Sequence, residues 1–124
     1  MIKIGTIFSG IGSPEFALKN IGVEHRLVFA CDNNRNVKKT YMQNHNTKYF
    51  FDDVLDMCEM TEIPKMDLFV FGFPCQPFSI SGHSLGFDDI RGKLFYSGIE
   101  IIKNTKPKFF IAENVAGIKR HGWL

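Results

Sequence analysis

Asp67–Arg91 reads DLFVFGFPCQPFSISGHSLGFDDIR, and its first half says what kind of sheet the chain builds. Leu68 to Phe71 is a short apolar run of Phe and Val, the pattern of a buried strand. Gly72 to Pro74 ends it, because proline removes a ladder donor and glycine permits the bend. Cys75 comes next, then Gln76 and Pro77, then a small, polar, glycine-containing segment with neither helical nor strand period. A thiol just past the carboxyl end of a buried strand lies where open α/β sheets place their ligands.

Working outward, Lys3 to Phe8 reads as a first strand, broken by the turn Ser9-Gly10-Ile11-Gly12. Ser13, Pro14 and Glu15 read as a helix start, with Ser13 as N-cap, proline in the first turn and a carboxylate behind it. That helix is expected to reach Asn20 and to pack through Phe16, Ala17 and Leu18. Strand, glycine turn and helix N-terminus together make a site for a ligand's polar end. The second strand, Arg26 to Cys31, runs into Asp32, about twenty residues past the turn, where a carboxylate can accept from ribose hydroxyls.

Asn34 to Asn44 reads as a helix with Val37, Tyr41 and Met42 inward and Arg35, Lys38 and Lys39 on a solvated face. Tyr49 to Phe51 is a brief third strand ending in Asp52-Asp53-Val54. Gly92 to Lys103 carries Leu94, Phe95, Ile99, Ile101 and Ile102 as a core-facing helical set, and Lys108 to Ala112 reads as a fifth buried strand ending in Glu113. Strands alternating with helices imply parallel βαβ units with right-handed crossovers in an α/β sheet, and the expected spatial order is 3-2-1-4-5. That order brings Glu113 beside Cys75.

With 124 residues the chain forms one domain at most. The net charge of +2 provides no global basic field, so a polyanion would need a local patch. Cys31, Cys58 and Cys75 are widely spaced, without a C-x-x-C pair or histidines at metal spacing, which argues against a disulfide framework and a zinc site and for a reducing compartment. No window approaches the apolar length of a membrane span, and the opening MIKIGTIFSGIG does not read as a signal peptide, so a cytoplasmic location is expected.

GFPCQPFSISG resembles the nucleophile loop of the DNA cytosine-5 methyltransferases. Four more blocks follow that family's order: Phe8-Ser9-Gly10-Ile11-Gly12, Asp53-Val54, Asp89-Ile90-Arg91-Gly92 and Glu113-Asn114-Val115. The resemblance implies a Rossmann-like fold that uses S-adenosyl-L-methionine, with no metal. By the same resemblance Phe8, Gly10 and Gly12 line the cofactor's methionine end, Asp32 takes the ribose, Asp53 the adenine amine, and Leu94 adds a cofactor contact. Asp32 and Asn33 depart from the family, which often has Glu and a large apolar residue there.

For the chemistry, the resemblance implies attack by Cys75, held by Pro74, on carbon 6 of a flipped cytosine in double-stranded DNA. Glu113 would stabilise the ring and Asn114 orient that carboxyl. Ser79, His83 and Arg91 are candidates for phosphate contacts. Full-length family members continue well beyond Val115, so 1–124 is expected to be the amino-terminal portion of the catalytic domain, associating with a complementary polypeptide or with itself. Two other readings stand beside this one: a noncatalytic cofactor- or partner-binding module, and a relative that methylates cytosine in transfer RNA.

Overall fold

The computed structural model describes residues 1–72 and 90–113, the side chains of 90–93 excepted. Its elements are β1 (Ile2–Ile7), α1 (Ser13–Asn20), β2 (His25–Cys31), α2 (Arg35–Asn44), β3 (Tyr49–Phe51), α3 (Val54–Cys58), β4 (Leu68–Gly72), α4 (Ile90–Thr105) and β5 (Phe109–Glu113). The sheet has the order β3-β2-β1-β4-β5, and every pairing is parallel. The α/β architecture expected from the alternation of elements is therefore the one observed.

Strand alternation divides the core between the two faces. On one, Phe29, Cys31, Phe69 and Phe71 meet Val54 and Met57 of α3 and Ile101 of α4, with Leu94, Phe95 and Ile102 packed against them. Phe69 and Phe71 stack at 5.1 Å. On the other, Tyr41 of α2 is buried against Phe50 at 5.5 Å.

Gly98 shows how tightly α4 lies on the sheet. A Cβ built there would come within 2.5 Å of the Phe71 ring. Alanine in a helix interior ordinarily gains about 1 kcal/mol over glycine. Overpacking against a buried ring costs about 1–3 kcal/mol, so Gly98→Ala is expected to lower the urea midpoint. A raised midpoint would refute that packing argument.

Four local expectations need correction. The N-cap of α1 is Gly12, left-handed at φ 92° and without a side-chain cap, and Ser13 is already helical. Within α1 the buried side chain is Glu15, whereas Ala17 is exposed. Met42 lies outward, 46% exposed, because α2 turns Tyr41 onto the sheet. β5 is exposed throughout, Phe109 to 70% and Phe110 and Ile111 each to 54%. It pairs with β4 along one edge, and no layer covers it among the described residues.

Candidate functional site

The carboxyl ends of β1, β2 and β4 meet where the strand order reverses, and the turn after β1 is held at each residue. The Ser9 N–H donates to the Cys31 carbonyl (2.9 Å), while Ser9 Oγ accepts from the Cys31 N–H (2.9 Å) and shares a 2.7 Å hydrogen bond with the Thr6 hydroxyl. The Gly10 N–H donates to Asp32 Oδ2 (2.9 Å), and the Asn34 N–H donates to Asp32 Oδ1 (3.0 Å). Asp32 thus ties the glycine turn to the start of α2. Each of its oxygens keeps a lone pair free for a further donor.

Phe8 reaches this turn at φ 51°, a left-handed conformation that costs a bulky residue about 1–3 kcal/mol and concentrates at functional sites. It separates two cavities that share Phe8 and Gly72. The first, of about 260 Å³, is lined by Cys31, Asp32, Asn33, Asp52, Asp53, Val54 and Leu94 as well. Asp53 caps α3, accepting from the Leu55 N–H at 2.9 Å, and Asp52 pairs with Lys38 at 3.0 Å. Three carboxylates on one small wall suit a ligand that brings hydroxyls, an amine and positive charge. These acceptors therefore fit an adenosyl sulfonium.

The second cavity, of about 610 Å³, runs between α1 and β5 and includes Gly10, Gly72 and Glu113 in its wall. Gly72 and Glu113 are register partners at the ends of β4 and β5. The Glu113 carboxyl folds over Gly72, its Oε2 2.8 Å from where a Cβ of residue 72 would stand. An acid is thereby held against the strand end that leads, three residues on, to Cys75.

Phe8, Gly10, Asp32, Asp53, Leu94 and Glu113 all lie on the walls of these cavities. Gly12 is buried under the turn and lies on neither wall. Arg91 falls in the first turn of α4, its side chain outside the described residues, as are Pro74, Cys75, Ser79, His83 and Asn114.

Two features went unread in the sequence. Cys31 forms part of the smaller cavity's wall, its thiol pushed up to about 12 by burial and, secondarily, by Asp32 and its acidic neighbours. Burial also raises the Cys58 thiol. Since the thiolate is the reactive form, iodoacetamide at pH 8 should leave Cys31 unlabelled in the folded chain. Peptide mass spectrometry finding Cys31 among the first sites labelled would contradict this.

The other is Glu15, 2% exposed, whose two carboxyl oxygens make no hydrogen bond of good geometry although the Thr6 and Tyr41 hydroxyls and its own backbone N–H stand close by; the Tyr41 hydroxyl likewise lacks a well-formed bond. Burial raises the Glu15 carboxyl above its ordinary 4.5, opposed by the Thr6 hydroxyl, His45 and Tyr41. A raised folded-state value means the folded chain binds this proton more tightly than the unfolded chain. The stability it contributes is complete below pH 4.5 and lost as pH rises through the raised value. Glu15→Gln removes that loss, so its advantage over the wild type should grow from pH 5 to pH 8 in urea titrations. No local signal in the sequence marked this cluster, since His45 lies just past the end of α2 in extended conformation.

The chain was compared with known proteins. The sequence model for C-5 cytosine-specific DNA methylase matches residues 2–122. The orphan methyltransferase M.SPRI of Bacillus phage SPR is 41% identical over 122 residues, covering 97% of this chain and 28% of that protein. The type II methyltransferase M.HpaII of Haemophilus parainfluenzae is 38% identical over 115 residues, covering 93% of this chain and 32% of that protein. In structure the chain resembles the Dnmt2 methyltransferase of S. pombe, with a TM-score of 0.76 at 24% identity over 97% of this chain and 38% of that one. This chain thus spans about a third of the length of these proteins. A match over nearly the whole chain, on a sheet whose switch point holds an acidic cavity and a strand-end glutamate, settles the family: the chain belongs to the C-5 cytosine-specific DNA methylases.

Proposed function

We propose that residues 1–124 are the amino-terminal portion of a catalytic domain that methylates carbon 5 of cytosine in double-stranded DNA, working with a complementary polypeptide. The observation that carries this reading is the pairing of Gly72 with Glu113, which sets a carboxyl beside the strand leading into Pro74 and Cys75. S-adenosyl-L-methionine, when bound, supplies an electrophilic methyl group. Asp32 takes its ribose hydroxyls, Asp53 its adenine amine, and Phe8, Gly10 and Leu94 line its path, the turn at Gly12 shaping that path from beneath.

Cytosine is a poor nucleophile at carbon 5. Attack of the Cys75 thiolate on carbon 6 makes a carbon–sulfur bond and moves an electron pair toward carbon 5. Glu113, at the ring's N3 and amino group, stabilises the charge that develops, with Asn114 orienting it. The electron pair at carbon 5 would take the methyl group as its bond to the sulfonium breaks to leave a neutral thioether; the carbon 5 proton then passes to water and the bond to Cys75 breaks, restoring the thiolate. The base must leave the duplex stack for this, with Ser79, His83 and Arg91 on the flanking phosphates.

Support for a complementary polypeptide comes from the apolar surface. The larger cavity is floored by Ile4, Leu68 and Val70 and edged by Leu18 and Ile111, and β5 lies open beside it. Phe109, Phe110 and Ile111 of β5, each more than half exposed, are the apolar surface that such a polypeptide would cover.

Duplex DNA bearing 5-fluorocytosine tests the reading, because fluorine at carbon 5 cannot leave as a proton does. With S-adenosyl-L-methionine and a polypeptide supplying the family's remaining blocks, a covalent protein–DNA species should accumulate and be absent in Cys75→Ser. A folded, complemented protein that gives no adduct would overturn the proposal. Adduct on transfer RNA in place of DNA would move the substrate to the RNA class.

A further inference from the structure

We propose that Glu15 is a positioning residue for the cofactor turn, its carboxyl standing with Tyr41 and His45 as a buried brace under Gly12 that holds residues 9–12 in place, with Gly10 and Gly12 left-handed. The inference rests on the cofactor reading above for its functional meaning, though not for its geometry.

Glu15 is the third residue of α1, where a carboxylate facing solvent would be stabilised by the helix dipole at no desolvation cost. Instead it turns inward to 2% exposure, beside Thr6 of β1, Tyr41 of α2 and His45, which follows that helix. A Cβ added to Gly12 would stand 2.7 Å from Glu15 Oε2 and 2.4 Å from His45 Nε2, so both side chains bear on that backbone. The His45 Nε2–H donates to the Ile11 carbonyl at 2.9 Å. The imidazole is itself held edge-on by Phe16 at 4.4 Å and by the tilted Tyr41 ring at 4.6 Å.

Each residue of the turn therefore has a separate grip: Ser9 from Thr6 and Cys31, Gly10 from Asp32, Ile11 from His45, and Gly12 from Glu15. Three of these are hydrogen bonds, and the fourth is a polar side chain kept in the core without a bond of its own. A carboxyl unpaired in this way, on the side of the turn away from the ligand, is accounted for by shape and polarity required beneath Gly12.

Glu15→Leu, Glu15→Gln and His45→Phe test the brace, read by amide hydrogen exchange and by calorimetric titration with S-adenosyl-L-methionine. In Glu15→Leu the Gly10 and Gly12 amides should exchange at least about tenfold faster, with Phe69 and Phe71 unchanged. Cofactor affinity should fall at least about tenfold, and Glu15→Gln should restore both to within about threefold of wild type. Turn exchange in Glu15→Leu within that threefold would overturn the proposal. Should Glu15→Leu not fold, His45→Phe decides: it keeps the ring packing and loses the bond to Ile11, and unchanged turn exchange there refutes the brace. A wild-type chain that binds no cofactor defeats the cofactor reading, and the exchange data still decide this one.

Discussion

Gly12→Ala is expected to weaken S-adenosyl-L-methionine binding at least about 100-fold and to destabilise the chain by about 2–4 kcal/mol. Two independent penalties meet at this residue. Its φ of 92° lies in territory that side-chain-bearing residues rarely adopt, and a methyl group there would enter the space of His45 and Glu15. Neither neighbour can retreat cheaply. His45 is pinned by Phe16, Tyr41 and the Ile11 carbonyl, and Glu15 is already enclosed. The backbone gives way instead, and it is the backbone that presents Gly10 to the ligand. Gly22 is the matched control, since its φ is 73° with nothing within 4 Å of an added Cβ. Gly22→Ala should cost only the conformational penalty, about 1 kcal/mol, and leave binding intact. Equal losses from the two substitutions, by urea titration and calorimetry, would show that only the φ matters and that the packing beneath the turn does not.

The contrast between these two glycines bears on what a linear reading can reach. The parallel α/β sheet was legible because apolar runs such as Leu68–Phe71 alternate with helical segments, and the expected order 3-2-1-4-5 is one of the few arrangements that this alternation admits. Asp32 and Glu113 were legible for the same reason, as acids at the ends of recognisable strands. What a sequence does not show is direction: Gly12 and Gly22 look alike as letters, and only the fold brings His45 and Glu15 against one of them. A glutamate in a helix's first turn reads as a solvated dipole partner, and nothing local marks Glu15 as buried. KFFIA reads as a core strand, yet β5 is open, because burial depends on a covering layer that the strand's own residues do not specify. Cys31 read only as the end of the second strand, and the fold sets it in the wall of the acidic cavity.

Glu113→Gln and Gly72→Ala should each lower the methyl-transfer rate of the complemented protein by about 10²–10³, while Cys75→Ser should lower it by at least about 10⁴. On the proposed chemistry Cys75 makes the bond without which carbon 5 stays inert, so its loss removes the pathway, whereas Glu113 lowers the barrier along it. Gly72→Ala is the more discriminating variant, because it leaves the carboxyl's chemistry whole and alters only where it stands. A Cβ at residue 72 would lie 2.8 Å from Glu113 Oε2, closer than van der Waals contact allows, and the carboxyl must swing away from the strand end. Glu113 has room to move on its exposed edge, so the fold should survive with little change in urea midpoint. Combining Gly72→Ala with Glu113→Gln should then cost little more than either alone, since both remove the same placed group. Single-turnover rates with saturating cofactor measure this directly. Losses that multiply in the double variant would mean that Gly72 acts on something other than Glu113, and the register of β4 with β5 would lose its place in the mechanism.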